Sequence, residues 1–360
     1  MKKISVLLII AMLLTTMLVG CDSSEQGNAD NTEVKEKKSI LDSDEQITWK
    51  LSHAVIEGDV LDLYCREFAK KVEEKFNGKV KIEVYPTGQL GDPIAIQELA
   101  QNGGLQFALL PAPFVGTIIP EIQATGLNFV FSGDREVNQR VLHEGEAVKE
   151  LNKSFEQQKL KPLDWLNEDF NCWTSNKPLR TLEDFEGFKM RVYSSPLTIA
   201  NYEALGANPT PIPFAEVYSS LQLNMVEGQE NPIVLIEKNK FNEVQDYLTI
   251  SNHGVVTETL TANLKFFNSL APEDQERIMS VIPEVSEYLF NMQDGITKES
   301  LQKIKEEGST EIIELTSEQR AAFIEASTSV KDTLNKLAGE RGKKIYDLLI
   351  EDVKRFEAEK

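Results

Sequence analysis

Between Thr181 and Pro232 the chain is punctuated so densely that no element can run longer than about ten residues. Thr181 stands three residues before Asp184, the spacing of a capping box, and Gly187 follows where a left-handed residue ends a helix. Phe188, Met190 and Val192 then alternate with Lys189 and Arg191, which reads as a half-buried strand. Arg191 points to the face opposite the apolar one, close to where Ser195-Pro196 opens a helix over Leu197 to Leu205. Gly206 stops that helix, and the three prolines of Asn208 to Pro213 predict a rigid loop. Phe214 to Leu223 reads as helix and Val226 to Gln229 as strand, with Asn231 placed to cap a helix begun by Pro232. Short strands, short helices and tight turns in this order make an α/β fold. They place a cation, an aromatic ring and an amide on successive connections. In open α/β sheets, ligands collect beyond the carboxyl ends of the strands, and a guanidinium there is a planar fork shaped for a carboxylate.

The flanking sequence fits that class. Ile47 to Leu51 reads as a strand. Leu61, Tyr64, Cys65, Phe68, Ala69, Val72 and Phe76 follow with helical spacing. Val80, Ile82 and Val84 form a second alternating strand, Asp92-Pro93 starts a helix, and Leu105 to Leu110 is a short apolar run with the length of a buried strand. This β-α-β-α-β order implies a mostly parallel sheet with crossover helices. Gly133 to Lys161 is largely helical, Leu163 to Ser175 is a long strand, and helical patterns fill Pro272 to Glu307 and Ser317 to Leu337. A chain of 360 residues has room for one or two domains.

The N-terminus reads as an address. Lys2 and Lys3 precede an apolar run from Ile4 to Val19 that ends in Leu18-Val19-Gly20-Cys21, the form of a secretory signal. The L-V-G-C ending looks like a bacterial lipobox, which implies cleavage before Cys21 and lipidation of its sulfur. Residues 22 to 46 are polar and read as a flexible tether. Two further cysteines, Cys65 and Cys172, are distant in sequence and are expected as buried free thiols. The net charge of −20 argues against nucleic acid as a partner, because phosphate binding needs clustered cations.

Three motifs of the central stretch, G-F-K-M-R-V, P-I-P-F-A-E-V-Y and G-Q-E-N-P, occur in order. With their spacing they make the chain resemble the solute-binding proteins of tripartite ATP-independent periplasmic (TRAP) transporters, the DctP/SiaP-like family. The resemblance extends from about Ile47 to about Arg341. It implies a two-lobed periplasmic-binding-protein-like fold that closes over one ligand, with mostly parallel sheets, a long connecting helix and a helical C-terminus. Residues 47–168 and 257–296 would form lobe I, 169–256 and 297–348 lobe II, and 349–360 a tail. Arg191 would hold a ligand carboxylate, Phe214 would pack on the ligand and Asn231 would complete the site. His53 stands where family members place a polar contact, and Asp92 aligns near the ligand although a capping role suffices for it. The departure is Asn171, where the family often carries a second arginine. Trp173 shares a strand face with Asn171, so an aromatic beside the site would favour a less polar acid.

The resemblance further implies a small organic acid as ligand, integral membrane permease subunits as partners, an extracytoplasmic location on the outer face of the cytoplasmic membrane, and no cofactor or metal. An ABC-type binding protein and the ligand-presenting partner of a membrane sensor are the alternatives. An enzyme has no positive support. His53, His143 and His253 are isolated, and neither a G-x-S-x-G elbow nor a phosphate loop occurs.

Overall fold

The computed structural model describes residues 37–360. The signal segment, Cys21 and the first part of the tether lie outside the described residues. Ten strands form one mixed sheet in the order β2-β1-β3-β9-β4-β7-β5-β6, with β8 pairing β4 and β10 pairing β8. Their ranges are β1 Ile47–Ser52, β2 Val80–Tyr85, β3 Phe107–Pro111, β4 Leu160–Ser175, β5 Lys189–Val192, β6 Asn208–Pro211, β7 Gly228–Pro232, β8 Tyr247–Ile250, β9 Val255–Asn263 and β10 Glu311–Glu314. Parallel pairings prevail at both ends of the sheet, and the antiparallel ones all involve β4 or β9.

The strand β4 joins the two lobes. Up to Phe170 it pairs with β9, and from Asn171 onward it pairs with β7 and β8. At about 3.3 Å per residue its 16 residues are long enough to serve both lobes. It carries two register shifts, between Pro162 and Asp164 and between Asn167 and Phe170, and the second lies where one partner gives way to the next. The 36-residue helix Pro272–Glu307 runs alongside. Its Val281, Val285 and Leu289 join the core that β1 and Val60–Lys75 build, and its Ile304 joins the core around Cys172 in the other lobe.

Three segments differ from their sequence-based reading. Asn208–Pro211 is a strand rather than a loop. It lies at the sheet's edge against β5, where a residue without an N–H costs no ladder bond on the open side. The end of the presumed tether is pinned: Ser39 Oγ donates to Asp274 at 2.8 Å and the Ile40 amide donates to the same carboxylate at 2.8 Å. The presumed tail is the end of the helical span Lys331–Ala358, which is broken by a kink at Gly339. Its Ile345, Leu349, Val353 and Phe356 fall at helical spacing and bury against the helices Arg135–Glu144 and Glu146–Gln157, so this segment packs with the first lobe.

Candidate functional site

The second lobe's sheet separates two faces by strict alternation. Met190 and Val192 face an aromatic core with Trp173, Phe185 and Phe323. Arg191 therefore faces the other way. The local frame comes from the residues before it. The capping box of Thr181 and Asp184 starts the helix Leu182–Phe185, and Gly187, at φ +71, turns the chain into β5.

Arg191 is only 1% exposed, and no other lysine or arginine among the described residues is buried. Its Nε donates to the Ile212 carbonyl at 3.0 Å, while Nη1 has no hydrogen-bond partner among the described residues. No protein carboxylate forms a salt bridge with it among the described residues. Burial lowers its pKa from the usual arginine value, with Tyr193 and Glu230 opposing the shift. The guanidinium lies 4.9 Å from the centre of the Tyr193 ring and 6.0 Å from that of Phe214. Phe214 is 40% exposed, unusual for a large apolar side chain, and packs edge-on against Phe241.

Asn231 sits in β7 opposite Cys172, on Arg191's side of the sheet. Its amide donates to Gln229, whose own amide donates to Thr174 at 3.0 Å, so a polar row runs under the fork. Asn231 Oδ1, fully buried, has no partner. The capping role expected for Asn231 is absent: β7 continues through Pro232, and Pro232 is itself the residue before the helix Ile233–Lys238.

The remaining sequence candidates fall elsewhere. Asn171 pairs with Pro232 on the opposite face from Asn231, and its Oδ1 is buried without a partner. It lines a cleft together with Asn128, Tyr193, Asn201, Glu230 and Thr257. Trp173 is fully buried behind the sheet. It stacks on His253 at 4.7 Å, meets Phe185 and Phe323 edge-on, and donates its indole N–H to Tyr202 at 3.0 Å. Its packing thus accounts for it as core, away from the cleft lining. His53 ends up against Asp62 at 2.9 Å, fully buried. Desolvation lowers its pKa, with Asp62 opposing, so the ring is neutral at pH 7. The nitrogen facing Asp62 carries the proton, which leaves Nδ1 a buried acceptor without a donor. Asp92 caps its helix through the Ala95 amide. Cys65 and Cys172 are free and buried; burial pushes the Cys172 thiol up to about 12 and Cys65 also well above the usual value.

Sequence reading missed Tyr193, Glu168, Glu230 and Glu258. Tyr193 follows Arg191 by two residues and was discoverable by period two. Glu230 lies inside the G-Q-E-N-P motif. Glu168 and Glu258 gave no signal, because only the pairing of β4 with β9 brings these regions together.

A family model described as bacterial extracellular solute-binding protein, family 7 (DctP), matches residues 51–337. The chain is 33% identical over 313 residues to the ectoine-binding periplasmic protein TeaA of Halomonas elongata, covering 86% of this chain and 91% of that protein. It is also 33% identical over 297 residues to the C4-dicarboxylate-binding periplasmic protein DctP of Rhodobacter capsulatus, covering 82% and 88%. The solved structure of the ectoine-binding protein of the TeaABC TRAP transporter from Halomonas elongata superposes with a TM-score of 0.80 at 32% identity, over 86% of this chain and 99% of that one.

Proposed function

From the premise that the chain belongs to the DctP family of bacterial extracellular solute-binding proteins, we propose that it captures a small organic acid by its carboxylate on Arg191. The family consists of binding proteins for transport and not of enzymes. The observation that carries the reading is the buried guanidinium whose Nη1 has no partner. A buried charge without a counter-ion costs several kcal/mol, so such a group is retained for something that arrives later. Asn231 Oδ1 and Phe214 lie on the same side and would complete the contact, the first to a ligand donor and the second to its apolar part.

Binding draws the two lobes together, because a ligand with contacts on both favours the closed arrangement. The closed, loaded form then hands its cargo to integral membrane permease subunits. Lipidation of Cys21 would hold the protein at the outer face of the cytoplasmic membrane, where multiple acyl chains give stable retention.

Titration calorimetry tests the reading with ectoine and succinate as probes. Arg191→Ala loses about 2–5 kcal/mol of affinity for whichever acid the native chain binds. Near-native affinity in that variant would refute the assignment. Cys21→Ala should release the protein from membranes, which fractionation of expressing cells reads directly.

A further inference from the structure

Besides β4, the link Ser251–Gly254 carries the chain between the lobes, from β8 to β9. Two side chains outside the cleft lining hold this crossing. Between the helical turn Pro120–Gly126 and the helix Arg135–Glu144, Leu127, Val130 and Phe131 bury in the first lobe's core. Phe129, in their midst, takes φ +60, a left-handed conformation that bulky side chains avoid. The reversal sends its ring the other way, against the second lobe's core of Trp173, Phe185 and Phe323. Its amide donates to the His253 carbonyl in the crossing. Asn252, beside His253, is left-handed too, at φ +45. Left-handed residues other than glycine persist where their surroundings over-determine them.

Arg320, on the helix Ser317–Ser327 of the second lobe, closes on both. Its Nη1 donates to the Ser251 carbonyl and its Nη2 to the Asn252 carbonyl at 3.2 Å, and its guanidinium lies 5.0 Å from the centre of the Phe129 ring. It has no salt bridge among the described residues, and burial lowers its pKa from the usual arginine value. This charge serves two backbone carbonyls and a ring instead of an ion pair.

Resting on the closure reading above, we propose that Arg320 and Phe129 are the positioning residues of the hinge: they clasp the Ser251–Gly254 crossing to both lobes and so set the arrangement from which the lobes close. Phe129 is a peg from the first lobe seated in the second, and Arg320 fastens peg and crossing together. Rotation then falls on β4, at the register shift between Asn167 and Phe170. Neither residue lines the cleft, so what they contribute to ligand affinity passes through the arrangement of the lobes.

Arg320→Met and Arg320→Lys test the clasp, the second keeping the charge and losing the planar fork. In the ligand-free protein, hydrogen exchange at the Phe129 amide and across residues 251–255 should quicken about 10-fold, the worth of one hydrogen bond to a charged group, while β5 keeps its native rate. The radius of gyration from small-angle scattering should shift as well. Calorimetry with ectoine and succinate should show affinity for whichever acid the native chain binds reduced about 2- to 30-fold in both variants, the range over which residues remote from a ligand modulate coupling. Phe129→Leu, which leaves Arg320 no ring face, should act in the same direction, and it stands in if neither Arg320 variant folds. Native exchange and a native radius of gyration in Arg320→Met would overturn the proposal. So would a lowered melting temperature with native affinity, the mark of a contact that only supports the fold. Native affinity in Arg320→Lys beside a loss in Arg320→Met would point to the field of the charge and not to the clasp, and would overturn it too. If neither probe binds the native chain, the ligand-free radius of gyration decides alone. A native chain that does not contract when saturated with a bound acid refutes closure itself and this proposal with it. Equal contraction in the native chain and the variants, at native affinity, refutes only the clasp.

Discussion

Two clusters on the second lobe's sheet, the one around Glu230 behind it and the fork of Arg191 in front, bury polar groups on opposite terms. Behind the sheet, Glu230 Oε2 takes hydrogen bonds from Tyr202 and His253, each at 2.7 Å, and Ser251 closes on the other nitrogen of His253 at 2.7 Å. Trp173 covers this group and donates to Tyr202. The network is complete. On the front face, Arg191 Nη1 and Asn231 Oδ1 are equally buried and have nothing. A saturated network holds a fold together, whereas orphaned donors and acceptors weaken it unless a ligand completes them. The comparison separates stability from binding within a few ångströms of one sheet, and mutation of each face should show it.

Trp173→Ala should have the largest effect, a loss of about 3–5 kcal/mol of stability from a core aromatic. Denaturant unfolding measures it, and a loss under 1 kcal/mol would mean that the rear face is not the structural one. Next comes Glu230→Ala, which strands Tyr202 and His253 and costs about 1–3 kcal/mol. Arg191→Met should move the other way. Removing a buried cation without a partner leaves the ligand-free protein as stable or more stable by about 1–2 kcal/mol, while ligand no longer raises its melting temperature. If Arg191→Met destabilises the free protein as Glu230→Ala does, the contrast between the faces collapses.

Much of the front face was legible in sequence because it is local. Thr181, Asp184 and Gly187 act within one turn, and period two alone places Arg191 opposite Met190. The rear face was not, because its partners are far apart: Trp173 meets His253 eighty residues later, and no spacing rule connects them. Asn231 misled for a related reason. An asparagine before proline is a good helix cap in isolation, but its pairing opposite Cys172 extends the strand and moves the boundary past Pro232. The prolines of Asn208–Pro211 forbid a central strand yet permit an edge one, and which of these they occupy depends on sheet order, which local sequence does not encode.

The smallest effect concerns pH and sharpens the comparison on the first-lobe side of the cleft. Glu168, Glu258 and Asp59 all titrate above their ordinary values in the free protein, first because burial disfavours the charged form. The folded state thus binds more protons than the unfolded chain between about pH 4.5, where an unfolded glutamate titrates, and about 8, where Glu168 does. Stability must then fall as pH rises across that window. His53 works against this below pH 6.5, because its lowered pKa makes the folded state bind fewer protons there. The window pH 6.5 to 8 is therefore free of His53, and His143, which burial lowers but the Asp164 carboxylate raises by more, adds to the fall there; the decline from Glu168 is on the order of 1 kcal/mol after allowance for solvent screening of this half-buried group. Thermal melts of the ligand-free protein across that range should show the fall, and Glu168→Gln should flatten it. A melting temperature that rises from pH 6.5 to 8 in the free protein would mean that the acids are already paired, and the first-lobe side would then be as closed a network as the one around Glu230.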